Sequence, residues 1–136
     1  MEHLFAYGTL MHPLIFQRVT GFERDAQAAT VWGYQRGAVR GVDFPAIIES
    51  ANSKVQGVVF RDLPAACWSR LDHYEGELYR RVSCWILLQD SGSLRAQAYL
   101  LEPAYLHRLD DKDWDARRFL HTGWRRYLKA LQDFER

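Results

Sequence analysis

Runs of strand length, rich in β-branched and aromatic residues, follow one another along this chain, and helical periodicity interrupts them at only three places. His3 to Tyr7 is short, aromatic and stopped by Gly8, which predicts a buried strand entering a tight loop. A helix starts near Pro13, because proline suits a first helical turn, and it ends before Gly21. From Asp25 to Ile48 the chain is rich in Ala, Val and aromatics, with Gly33, Gly37 and Gly41 at strand, turn and bulge positions. Val55 to Phe60 is a further strand. Asp62-Leu63-Pro64 then opens a helix with a carboxylate at its N-cap, and Leu63, Cys67, Leu71 and Tyr74 recur at helical spacing until Gly76. Tyr79 to Gln89 and Leu94 to Leu101 are strands joined by the hairpin turn Asp90-Ser91-Gly92-Ser93. Asp113 to Phe134 is the longest helix. Its stripe is Leu120, Trp124, Tyr127, Leu128, Leu131 and Phe134, with Arg117, Arg118, Arg125, Arg126 and Lys129 largely elsewhere. The order β-α-β-β-β-α-β-β-α lacks regular β-α-β alternation. An α+β fold on a mixed or antiparallel sheet, open to closure as a barrel, is therefore expected.

No repeat, linker or charge block divides residues 1–136, which read as one domain with enough apolar material, 48% hydrophobic and 14% aromatic, for a closed core. Eighteen basic against seventeen acidic residues leave a net charge of +1, so no global field favours nucleic acid or an anionic membrane. Met1 to Phe5 carries no basic leader region, and the longest apolar run, Cys84 to Leu88, is far short of the ~20 residues that span a bilayer. A soluble, cytoplasmic chain with no nucleic-acid and no membrane partner is expected. Cys67 and Cys84 sit in apolar surroundings and read as buried free thiols. Trp32, Trp68, Trp85, Trp114 and Trp124 read as core or pocket wall rather than a base-stacking platform.

Two segments carry candidate chemistry. Tyr7-Gly8-Thr9-Leu10 places a glycine and a hydroxyl at the end of a buried strand, where successive backbone N–H groups can face an anion or oxyanion. It has neither the lysine of a P-loop nor the glycine spacing of a dinucleotide fingerprint, and an ordinary strand-ending turn is the plainer alternative. Leu71 to Arg81 crowds Asp72, His73, Tyr74, Glu75, Glu77 and Tyr79 around Gly76. Glu75 falls at the last turn of a helix, where the negative dipole end and partial burial raise a carboxyl pKa toward general acid–base use. The alternative is a solvated helix end with Glu77 pairing Arg80 or Arg81. His3, His12, His73, His107 and His121 have no metal-ligand spacing, so no metal is expected, and neither cysteine nor Ser69 nor Ser83 has the setting of a nucleophile.

Tyr7-Gly8-Thr9-Leu10 after an N-terminal strand, followed by Leu71-Asp72-x-Tyr74-Glu75-Gly76-x-x-Tyr79-x-Arg81, resembles the γ-glutamyl cyclotransferase-like family, in particular its γ-glutamylamine cyclotransferase-like branch. Gly33-Tyr34, Phe44-Pro45-Ala46-Ile47, Val55 to Phe60, Ala98-Tyr99 and Asp113-Trp114 fit the same pattern. The resemblance implies a small mixed-strand β-barrel flanked by helices, with the site at one mouth. It implies glutamyl binding by Tyr7, Gly8, Thr9 and Leu10, with Tyr79 close by, and proton transfer by Glu75, which rather than Glu77 holds the motif position. Tyr7, Tyr34, Tyr79 and Tyr99 become candidate pocket walls. Relatives often end near the residue matched by Trp114, which makes 113–136 a C-terminal helical extension that seals the barrel, forms a dimer contact or trims the leaving-group side. The implied reaction turns a γ-glutamyl amine or amino acid into 5-oxoproline and the freed amine, with no cofactor, in a monomer or homodimer. The alternatives are a small-molecule-binding module without turnover and an interaction module that uses the last helix.

Overall fold

In the computed structural model, which describes residues 2–135, five strands close a barrel. They are β1 (Glu2–Ala6), β2 (Gln27–Ala38), β3 (Pro45–Leu63), β4 (Tyr79–Leu88) and β5 (Ser93–Leu101), arranged β1-β3-β2-β4-β5. Neighbours are antiparallel except at the closure, where β1 runs parallel to β5 through Leu4 and Gln97. The fold is thus the α+β mixed-strand barrel that the motif order implies.

The run expected as a separate strand at Val55–Phe60 is the second half of β3. Its ladder with β2 spans Ala38↔Pro45 to Gln27↔Val59 and shifts register only at Gly33. There Ser50 to Ser53 bulge out, joined by an Oγ···Oγ hydrogen bond of 3.0 Å, and pairing resumes on both sides. A polar stretch that breaks apolar alternation thereby stays inside one strand.

Alternate residues of all five strands, among them Phe5, Val31, Val59, Ile86 and Leu100, fill the barrel. The opposite faces of β1, β3 and β5 present Leu4, Phe60, Leu63 and Leu101 to two helices, α1 (Pro13–Thr20) and α2 (Ala65–Glu75). Phe16 of α1 stacks on Phe60 at 3.9 Å between centroids. His12 caps α1 by accepting the Leu14 N–H, and Gly21 closes it. Asp62 does not cap α2, contrary to expectation. β3 continues through Leu63, which pairs with Glu2, the Asp62 N–H donates to His3 Nδ1, and Pro64 takes the N-cap position.

The expected single helix 113–134 is also divided. Asp113 and Trp114 precede it, tied by Arg36 and by an indole N–H to Asp43 O (3.0 Å). Asp115 accepts the Arg118 N–H to start α3 (Ala116–Arg118), a π turn covers Phe119–Gly123, and α4 (Trp124–Glu135) follows. The Trp124 N–H reaches Phe119 O, five residues back, so the turn holds one residue more than an α-helix. That extra residue shifts the phase. Phe119 is buried in the place expected for Leu120, which is 39% exposed, while Trp124, Tyr127, Leu128 and Leu131 pack against the core shared with α1 and α2. The Phe134 side chain lies outside the described residues. Trp124 stacks on His12 at 4.2 Å.

Two tryptophans depart from the expected core. Trp32 on β2 and Trp85 on β4 are 56% and 61% exposed, with Lys54 and Arg95 lying over their rings. Alternation aims them outward where no helix covers the sheet, and the cations shield their faces. No helix of the described residues is long and apolar enough to cross a membrane.

Candidate active site

β1 delivers the first motif to the barrel mouth. After Ala6 the chain leaves the ladder, and Thr9–Met11 form one 3₁₀ turn whose hydrogen bonds begin with Met11 N–H donating to Gly8 O. Gly8 is required by close approach, since a Cβ there would stand 2.8 Å from the Pro45 ring. Arg36 fixes the loop from outside. Its Nη1 donates to Tyr7 O at 2.9 Å, while Nε and Nη2 hold both oxygens of Asp113 at 2.8 and 3.2 Å. In a trans peptide the Gly8 N–H then points away from Arg36.

α2 delivers the second motif. Glu75 is its last residue, and Gly76 ends the helix with φ +65°, ψ −151°, a conformation open to glycine and to few other residues. The Gly76 N–H donates back to Asp72 O. The chain turns sharply there into β4, so Tyr79 comes round to the same mouth.

Tyr7, Gly8, Thr9, Leu10, Glu75 and Tyr79 all line one cavity of about 120 Å³. On a scale where one water needs roughly 10–15 Å³, that admits several waters or a small organic group. All six predicted residues are therefore brought together. Tyr99, Phe44 and Pro45 of the supporting motifs line it as well. Tyr34 does not; it packs with the residues that fill the barrel. Leu4, Phe5 and Ala6 of β1, with Leu78, Tyr74 and Tyr127, complete the lining that the motifs left unassigned. Tyr74 was legible as a member of the α2 apolar stripe, and Tyr127 as the one hydroxyl-bearing member of the stripe on the last helix.

Glu75 is the acidic residue of this lining, half-buried, with its carboxyl among aromatic rings. Burial raises its pKa to about 8, and the neighbouring charge of Asp72 adds to the rise. Asp72 is itself anchored. Its Oδ1 accepts from Tyr99 at 2.7 Å and its Oδ2 lies 3.6 Å from Arg81, so Arg81 faces Asp72 across the end of α2. The phenols of Tyr7, Tyr74, Tyr79, Tyr99 and Tyr127 are all raised by burial, and the charge of Glu75 raises each further, which places five rings around one carboxyl.

Those phenols are largely committed. Tyr7 donates to Tyr99 O and Tyr79 to Pro45 O, each at 2.6 Å, so both rings are fixed as walls. Tyr74 bonds Thr9 Oγ1 at 3.1 Å and also the hydroxyl of Tyr127. Cys67 and Cys84 are free and buried, and burial pushes Cys84 up to about 11, far from a reactive thiolate. His3 and His12 are spent on backbone N–H groups, and among the described residues no three His, Cys, Asp or Glu side chains gather as a metal site requires. What lines the cavity is one carboxyl with a raised pKa, a glycine-containing loop and aromatic walls.

A family model for γ-glutamyl cyclotransferase, AIG2-like proteins matches residues 4–116. The chain is 26% identical over 129 residues to Protein AIG2 C of Arabidopsis thaliana, covering 89% of this chain and 78% of the relative. It is 27% identical over 138 residues to AIG2-like protein D of the same plant, covering 98% and 89%. Its fold is similar to that of an Arabidopsis thaliana protein solved in solution, with a TM-score of 0.72, 21% identity and coverage of 98% and 81%. It is also similar to the structure of a gamma-glutamyl cyclotransferase, with a TM-score of 0.62, 18% identity and coverage of 76% and 73%.

Proposed function

Because the chain belongs to the γ-glutamyl cyclotransferase, AIG2-like family, we propose that it converts a γ-glutamyl amine into 5-oxoproline and the free amine, with Glu75 carrying the protons. The observation that carries this reading is a carboxyl with a pKa near 8 in the same cavity as Tyr7 to Leu10.

The substrate holds its own nucleophile and electrophile. Its α-nitrogen attacks the δ-carbonyl carbon, that C–N bond closes a five-membered lactam, and the C–N bond to the leaving amine breaks. Intramolecular attack needs no nucleophile from the protein, provided the chain is held folded with nitrogen against carbonyl. The α-ammonium loses one proton before attack and a second on ring closure, and the leaving nitrogen gains two to depart as an ammonium. Glu75 is the relay in both transfers. An ammonium beside its carboxylate favours the ionised acid on binding, and proton transfer then neutralises both charges where water is scarce. The N–H groups of Gly8 to Leu10, with the Tyr7 carbonyl drawn away by Arg36, are the donors for the oxygen that gains charge as carbonyl carbon becomes tetrahedral.

The test is incubation of the intact chain with a panel of γ-glutamyl amines and amino acids, with mass spectrometry of both products. One or more members are expected to release 5-oxoproline and amine in equal amounts. Absence of both products across the panel overturns the reading in favour of a binding module.

A further inference from the structure

The last helix lies beyond the residues that the family model matches, yet it reaches the cavity through one side chain. Tyr127 lines the cavity, its hydroxyl bonds Tyr74, and Tyr74 bonds Thr9 Oγ1. We propose that Tyr127 is a substrate-positioning residue, the end of a three-hydroxyl chain that orients Thr9 and presents one donor to an acceptor oxygen of the ligand; this rests on the cyclotransferase reading of the same cavity.

Proton arithmetic carries the point. Three hydroxyls hold three protons, and two hydrogen bonds among them consume two. A chain that runs one way leaves the third proton on Thr9 or on Tyr127, and donation from both ends leaves it on Tyr74; all three residues line the cavity. Thr9 is 6% exposed, and Tyr74 and Tyr127 are half-buried, so an acceptor oxygen of a ligand that displaces water from the cavity is the partner within reach of that proton. α4 is held independently of that partner. Trp124 stacks on His12, Phe119 meets the Tyr127 ring edge-on at 5.8 Å, and Leu128 and Leu131 pack on the core. Removing one hydroxyl therefore disturbs the chain without undocking the helix.

The variants are Tyr127→Phe, Tyr74→Phe and the double variant, each read for KM, kcat, melting temperature and binding of 5-oxoproline or glutamate by calorimetry. Tyr127→Phe is expected to raise KM or the probe Kd roughly tenfold, the worth of one hydrogen bond to a polar ligand group, with kcat changed far less and melting nearly unchanged. Tyr74→Phe breaks the same chain in its middle, so the double variant is expected to cost much less than the product of the single effects. Unchanged KM and probe binding in Tyr127→Phe overturns the proposal, as does a loss confined to melting temperature. If the intact chain binds 5-oxoproline or glutamate but turns over no γ-glutamyl compound, the cyclotransferase reading fails alone and the Kd values still decide Tyr127. If it neither turns over nor binds, both fail.

Discussion

At Glu75 the folded protein holds a proton that the unfolded chain gives up. The carboxyl titrates near 4.5 when free and near 8 in place, because burial and the charge of Asp72 both disfavour its ionised form. Below about pH 4.5 both states are protonated and the group is neutral in its effect. Between about 4.5 and 8 the native state binds more protons than the unfolded state, so stability falls as pH rises and the loss is complete above about 8. The Glu75→Gln variant removes this contribution. Its melting temperature is expected to fall less than that of the parent between about pH 5 and pH 9, and to exceed the parent's at the alkaline end; parallel curves would contradict a raised pKa at this position. Glu75 and the Tyr7–Leu10 loop were legible in the sequence because each motif is contiguous and carries its own turn. Tyr127 was not assigned there, since its place beside Tyr74 follows from how α4 docks, and nothing local to Arg126-Tyr127-Leu128 specifies that.

Among the elements, the π turn between α3 and α4 explains the main departure from periodicity. A regular helix puts Leu120 in line with Trp124, Tyr127 and Leu128, as the spacing predicts, but one surplus residue in the turn substitutes Phe119. Periodicity assumes a constant angle per residue, so a bulge is invisible to it; the β3 bulge at Ser50–Ser53 escaped for the same reason in a period of two. The turn makes a specific expectation for deletions. Removing Leu120 leaves an uninterrupted α-helix with Phe119, Trp124, Tyr127 and Leu128 in register, so melting should shift by only a few degrees. Removing Arg126 instead swings Tyr127, Leu128 and Leu131 by about 100° relative to Trp124, and should cost most of the docking of α4. Equal damage from the two deletions, measured by thermal denaturation, would contradict the phase-shift explanation.

For the molecule as a whole, the barrel was legible from the order of strands and helices together with the family motifs, while its seam was not, because the parallel closure of β1 on β5 joins segments distant in sequence. The closed ring places the end of β1, the end of α2 and the start of β4 at one mouth, and that convergence puts Glu75 against the loop. Trp32 and Trp85 show the limit of spacing: their place along apolar faces argued for burial, but position on an uncovered sheet face decided exposure. The near-balanced charge of the chain suits a small zwitterion held by one loop and one carboxyl better than a polyanion. The most direct test compares the intact chain with Glu75→Gln and Glu77→Gln on a γ-glutamyl amine, following 5-oxoproline at matched folding. Glu75→Gln is expected to lose nearly all lactam formation and Glu77→Gln, at an exposed position, to retain most of it. Full turnover in Glu75→Gln, or equal loss in both variants, would contradict the assignment of the proton relay to Glu75.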